Sequence, residues 1–221
     1  MKLFLGICIV IAACGENAQP GAKEGKDSVQ PEKATVKDTA KTIVFFGNSI
    51  TAGYGLEMSE AFPAIIQRRI DSLNLPYKVI NAGVSGETSS GGNGRIDWVL
   101  RQSVDVFVLE LGGNDGLRGI PVTETKKNLQ SIIDKVKAKN PSVKIILAGM
   151  QIPPNMGKQY TSEFRAMYPE LAETNNITLI PFLLEGVGGE AKFNQEDGIH
   201  PTPEGHKILA ENVWKVLGGM I

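Results

Sequence analysis

The chain has 221 residues, a net charge of −1, and 42% hydrophobic and 21% charged residues. That is the composition of a globular protein of one domain with room for an appendage, and it sets up no strong field for nucleic acid or an anionic membrane surface. Both cysteines, Cys8 and Cys14, precede Gly15; everything after them lacks thiols for disulfides or metal sites, and 2 histidines leave little for a histidine-rich zinc centre.

Met1-Lys2 is a short positive start, and Leu3–Ala13 (LFLGICIVIAA) is uncharged and mostly apolar. This suits a signal-peptide core and is shorter than the about 20 residues a membrane-spanning helix needs. It ends Ile11-Ala12-Ala13-Cys14-Gly15, which resembles the bacterial lipobox. The resemblance implies cleavage before Cys14 and lipidation of that cysteine, with acyl chains that anchor the protein to a membrane. Residues 15–41 hold no apolar side chain larger than Val29 and Val36. Nothing there offsets ordering entropy, so a flexible tether of about 25–30 Å is expected. The organisation read from the chain is a signal peptide at 1–13, lipidated Cys14 and tether at 14–41, and a domain at 42–221.

Within the domain, Thr42–Phe46 (TIVFF) reads as a buried first strand. Ala61–Leu73 follows with helical periodicity, Phe62, Ile65, Ile66 and Ile70 on one side. Tyr77–Val84 is a second strand, Ser89–Arg101 a weak helix, and Val104–Leu111 a third strand running into Gly112-Gly113-Asn114-Asp115. Thr123–Lys139 is a long helix, Val143–Met150 a fourth strand, Tyr160–Asn175 a helix and Ile177–Leu184 a fifth strand. Pro203–Leu217 closes the chain as a helix with Thr202 as N-cap. Near-continuous apolar strands separated by helices predict a three-layer α/β/α sandwich around a five-stranded, mostly parallel sheet. In such sheets ligands bind beyond the carboxyl ends of the strands. Ser49, Gly86 and Asn114 each follow a predicted strand end, and Asp197 and His200 follow the fifth, so five residues converge on one rim.

Their chemistry is complementary. A general base needs an imidazole held in one tautomer, and the carboxylate of Asp197, three residues before His200, does that. A serine early in the chain and Asp-x-x-His late make a nucleophile, a base and an orienter for acyl transfer.

Gly47-Asn48-Ser49-Ile50, Gly83-Val84-Ser85-Gly86-Glu87, Gly112-Gly113-Asn114-Asp115 and Asp197-Gly198-Ile199-His200-Pro201 resemble, in order, the four blocks of the SGNH (GDSL-like) hydrolases. The likeness is greatest to the bacterial thioesterase I, lysophospholipase and arylesterase group and runs from about Thr42 to Leu217. Thr51-Ala52-Gly53-Tyr54-Gly55-Leu56, Gln151-Ile152-Pro153-Pro154-Asn155 and Ala166-Met167-Tyr168-Pro169-Glu170-Leu171 are also typical of that group. The resemblance implies a flavodoxin-like SGNH fold and a serine esterase without cofactor or metal. Ser49 would attack the acyl carbonyl, His200 would act as base and Asp197 would orient it. The oxyanion would be held by the backbone N–H of Ser49, that of Gly86 and the side-chain amide of Asn114. Leu117, Gly119, Ile120, Pro154 and Met156 would line an acyl groove.

One departure stands out: Asn48 occupies the place where the family usually has an aspartate beside the nucleophile. It keeps an acceptor oxygen and loses the charge. The chain also lacks the second glycine of G-x-S-x-G, which argues against an α/β-hydrolase elbow. His206 is expected to be a packing or surface residue, and Glu110 is assigned no catalytic role. Two rival readings stay open at this point: a carbohydrate O-acetyl esterase of the cell envelope, and a tethered binding lipoprotein that has lost activity. The expected partners are a small-molecule or lipid acyl ester and, through Cys14, a membrane; no nucleic-acid partner is expected. The lipid anchor implies a domain outside the cytoplasm, at the periplasmic face or outer membrane in a Gram-negative source. Oligomeric state is not legible.

Overall fold

A computed structural model describes residues 40–221. The leader, Cys14 and the tether lie outside the described residues, apart from Ala40 and Lys41. Lys41 already belongs to the first strand, β1 (Lys41–Gly47), one residue before the expected start. Then come α1 (Ser49–Ala52), α2 (Phe62–Ser72), β2 (Tyr77–Gly83), α3 (Ser89–Val99), β3 (Val106–Glu110), α4 (Gly113–Leu117) and α5 (Val122–Lys139). β4 (Lys144–Ala148), α6 (Lys158–Asn175), β5 (Thr178–Ile180) and α7 (Pro203–Leu217) complete the fold.

The five strands run in the order β2-β1-β3-β4-β5, and every neighbouring pair is parallel. Two helix groups cover the strands: α2 packs with α7, and α3, α5 and α6 pack in a row. Coverage on both faces is why β1 and β3 carry uninterrupted apolar runs; Ile43 to Phe46 and all of β3 are buried. The chain crosses from β2 over β1 to β3, so the order reverses between β1 and β3, where open α/β sheets bind ligands. Register aligns those ends, pairing Gly47 with Gly83 on one side and with Glu110 on the other. The segments that follow all three strands therefore emerge together.

α2 shows how the pattern becomes packing. Phe62, Ile66 and Ile70 fall on one face and are fully buried, each burial contributing about 1.5–3 kcal/mol. Phe62 meets Phe45 edge-on, with ring centroids 5.3 Å apart. α7 matches its expected bounds, with the Thr202 hydroxyl accepting from Gly205 N at 3.3 Å. On α7, His206 is a packing residue. Its Nδ1 accepts from Phe62 N at 3.1 Å, satisfying a donor at the start of α2. Burial pushes His206 down to about 4, so it is a neutral acceptor at neutral pH.

Two expectations need correction. β5 stops at Ile180 rather than Leu184, because Pro181 has no N–H to extend the ladder. The chain instead folds back, with Gly149 N donating to Ile180 O and Leu183 N to Gly149 O. The short helices α1 and α4 were not foreseen, being too brief to show a period. Among the described residues, no helix is long and apolar enough to cross a membrane.

Candidate active site

The turn that carries Ser49 is built at the end of β1. Asn48 caps α1: its Oδ1 accepts from Ile50 N at 2.9 Å, and Ser49 begins the helix. Gly47 is required by crowding, since a Cβ there would lie 2.2 Å from Thr51 Oγ1 and 2.5 Å from Glu110 Oε2. α1 lasts one turn and ends at Gly53 in the left-handed region, φ 77°.

The other half of the relay is a loop between β5 and α7. Asp197 Oδ1 accepts from Ile199 N at 2.8 Å and His200 N at 3.0 Å, and its Oδ2 lies 2.6 Å from His200 Nδ1. His200 Nε2 lies 2.9 Å from Ser49 Oγ, across 151 positions of sequence. The structure thus brings Ser49, His200 and Asp197 together in one chain of hydrogen bonds. The His200 backbone amide, then the imidazole and the Ile199 amide, hold the Asp197 carboxyl down at about 2. That carboxylate accepts the Nδ1 proton, which leaves Nε2 as the acceptor facing the Ser49 hydroxyl.

Of the three expected oxyanion donors, Ser49 begins α1, Gly86 lies in the turn after β2 and Asn114 lies in α4. Val84 N donates to Gly47 O at 2.9 Å, tying the segment after β2 to the end of β1. Gly86 is left-handed, φ 78°. Asn114 Nδ2 gives one hydrogen to Glu87 O at 2.9 Å, and its second points elsewhere. Arg95 braces this loop from beneath. It binds both Glu87 carboxylate oxygens, at 2.6 and 2.5 Å, and Ala82 O at 2.8 Å. Asp115 holds the loop's far side, accepting from Ser89 N at 2.8 Å and Ser89 Oγ at 2.5 Å. Of the expected groove residues, Leu117 is half-exposed, and a Cβ on Gly119 would stand 4.0 Å from Met156 Cε.

Tyr54 and Gln195, to which sequence reasoning gave no role, and Glu110, to which it assigned no catalytic role, belong here. The Tyr54 ring lies on His200, centroids 4.6 Å apart. Gln195 Nε2 donates to Tyr54 O at 2.8 Å and to Pro201 O at 3.1 Å, joining the nucleophile side to the histidine loop. Glu110 sits under Asn48 and Thr51. Tyr54 stands inside a run already noted as family-typical; Gln195 and Glu110 carry no local signal. Among the described residues, no group of three or more His, Cys, Asp and Glu side chains converges as metal ligands.

Residues 45–208 match the sequence pattern of the GDSL-like lipase/acylhydrolase family. The chain is 40% identical over 184 residues to the esterase TesA of Pseudomonas aeruginosa, covering 83% of this chain and 90% of that protein. It is 37% identical over 183 residues to the thioesterase 1/protease 1/lysophospholipase L1 of Escherichia coli, covering 82% and 86%. Its fold superposes on a crystal structure of TesA with a TM-score of 0.78, covering 82% of this chain and 100% of that one at 40% identity. With its four blocks gathered on one rim and these relatives spanning most of the fold, the chain belongs to the GDSL-like lipase/acylhydrolase family.

Proposed function

We propose that the protein is a serine esterase that cleaves acyl esters or thioesters through an acyl-enzyme on Ser49. One observation carries this reading: the unbroken relay from Ser49 Oγ to His200 Nε2 at 2.9 Å and from His200 Nδ1 to Asp197 Oδ2 at 2.6 Å. His200 takes the Ser49 proton as the oxygen attacks the acyl carbonyl, and Asp197 stabilises the imidazolium. The Ser49 and Gly86 backbone amides and the free Asn114 hydrogen stabilise the tetrahedral oxyanion. His200 then protonates the leaving alcohol or thiol; a water that gives its proton to His200 attacks the acyl carbonyl, the carboxylic acid leaves, and His200 returns the proton to Ser49. The names of the relatives, an esterase and a thioesterase/lysophospholipase, support this substrate class.

The test is turnover across p-nitrophenyl esters from acetate to laurate. An acyl groove lined by Leu117, Gly119, Ile120, Pro154 and Met156, as the family resemblance implies, predicts that medium chains outrun acetate in kcat/KM. No turnover of any ester would sink the assignment, and a sharp preference for acetate would favour the O-acetyl esterase reading.

Ile11-Ala12-Ala13-Cys14 further supports a lipid-anchored envelope protein with its catalytic domain on a tether. Intact mass of the mature protein from membranes decides it. Acylated Cys14 as the first residue is expected, and an unmodified Cys14 refutes it.

A further inference from the structure

Two carboxyls lie buried behind the rim without entering the relay. Asp115 is occupied by Ser89 and steadies the start of α3. Glu110 differs: its hydrogen bonds run to the turn that carries the nucleophile. Oε1 accepts from Asn48 Nδ2 at 2.7 Å, and Oε2 accepts from Asn48 N at 3.1 Å and Thr51 Oγ1 at 2.8 Å. We propose that Glu110 is a positioning residue for Ser49: its ionised carboxylate holds Asn48 and Thr51, and through them the turn that presents the Ser49 hydroxyl to His200. This rests on the hydrolytic reading above.

The geometry requires an acceptor at this place. An ionised carboxylate is acceptor-only, and three donors converge on it. The Asn48 amide is oriented at both ends, Nδ2 toward Glu110 and Oδ1 toward Ile50 N at 2.9 Å. Turned over, it would set oxygen against carboxylate and NH₂ against N–H. The same Oδ1 is 3.5 Å from Ser49 Oγ. Thr51 is pinned a second time from β2, where Asn81 Nδ2 donates to its carbonyl at 2.8 Å. The bare Cα of Gly47 leaves room for the carboxylate, 2.5 Å from where a Cβ would lie.

Protonation upsets this arrangement. Burial pushes the Glu110 carboxyl up to about 7, even with Thr51 and Asn48 pulling the other way. The charges around it offer no direct partner. Arg95, from α3, is held by Glu87 and reaches Gly47 O at 3.4 Å. Tyr168, from α6, gives its hydroxyl to Leu111 O at 3.0 Å, and Asp115, on α4, is engaged by Ser89. Beyond the turn, His200 is paired with Asp197. As pH falls through about 7, the protonated acid has a hydrogen to place, yet both Asn48 contacts are donors. Only the Thr51 hydroxyl can reverse. The Asn48 bonds lose their charge assistance and the turn loosens. The acid limb of the rate profile therefore carries the proton taken up by Glu110 in addition to the one any general base contributes.

The experiment compares log(kcat/KM) against pH for the wild type, Glu110→Gln and Asn48→Asp on one ester. The wild type approaches a slope of two on the acid side. Glu110→Gln cannot titrate, so its limb has a slope of one, and kcat drops at least about tenfold while KM stays within about threefold. Asn48→Asp sets a second carboxyl against Oε1, where Nδ2 stands at 2.7 Å. Such a pair shares one proton and keeps one charge to lower pH. Its limb also falls to a slope of one. Equal steepness in wild type and Glu110→Gln overturns the proposal, whatever the loss of rate. If Glu110→Gln fails to fold by circular dichroism, equal steepness in wild type and Asn48→Asp overturns it instead. Absence of wild-type turnover would indict the hydrolytic reading; normal turnover with equal slopes indicts Glu110 alone.

Discussion

Ser49→Ala is expected to leave the fold intact and to lower kcat for any acyl ester by at least about 10⁴-fold. The substitution deletes one oxygen from a side chain that is almost fully buried at the first position of α1. That oxygen touches His200 Nε2 at 2.9 Å and Asn48 Oδ1 only at 3.5 Å. The cap on Ile50 N and the bonds to Glu110 come from Asn48 and Thr51 and survive, so the thermal midpoint should move by no more than a few degrees. With the attacking atom gone, donors left around an empty oxyanion position do little for the ester. A fluorophosphonate probe reads the same point covalently. The wild type should gain one adduct on Ser49 and the variant none. Turnover above about one percent of wild type, with clean labelling elsewhere, would remove Ser49 from the mechanism. An unlabelled wild type would revive the reading of a tethered binding protein without activity.

Asp197→Asn should cost about 10⁴-fold in kcat with KM little changed. The carboxyl is held at about 2 by two backbone amides and the imidazole, so it is ionised at every pH at which the protein would be assayed. An asparagine can keep Oδ1 on the amides of Ile199 and His200, where the bonds now measure 2.8 and 3.0 Å. Its NH₂ then faces Nδ1, which must become the acceptor. The ring proton moves to Nε2, and the atom 2.9 Å from Ser49 Oγ can no longer receive the serine proton. Loss of charge also withdraws the stabilisation of the imidazolium. A decline of less than about tenfold would mean that another group orients His200. The acid limb of the wild type should owe nothing to Asp197, which gains its proton only near 2.

These expectations also show what Asn48 does in place of the family's usual aspartate. Read along the chain, it was a lost charge beside the nucleophile. In the fold its NH₂ is a donor to Glu110 at 2.7 Å while its oxygen caps α1. An amide can do both at once; an ionised aspartate would accept on the cap and repel on the other side. The negative charge therefore sits one layer deeper, on Glu110.

Much of the architecture was legible because its signals are local. β1, β3 and β4 are apolar runs that need two covered faces. α2 and α7 repeat their buried side chains at helical spacing, and Thr202 with Pro203 marks the start of α7 within a few residues. The early serine and the late Asp-x-x-His had their chemistry written in residue type and spacing. The tertiary structure alone decided how these pieces meet. The strand order and the pairing of Gly47 with Glu110 put a buried acid beneath a turn 62 positions away. Gln195 reaches the Tyr54 carbonyl across 141 positions, and Pro181 ends β5 where a continuing apolar run suggested more strand. Periodicity, caps and turns are settled by neighbours within about one helical turn. Register and hydrogen-bond partners depend instead on which distant backbone the core brings alongside, and that choice is made only when the sheet assembles.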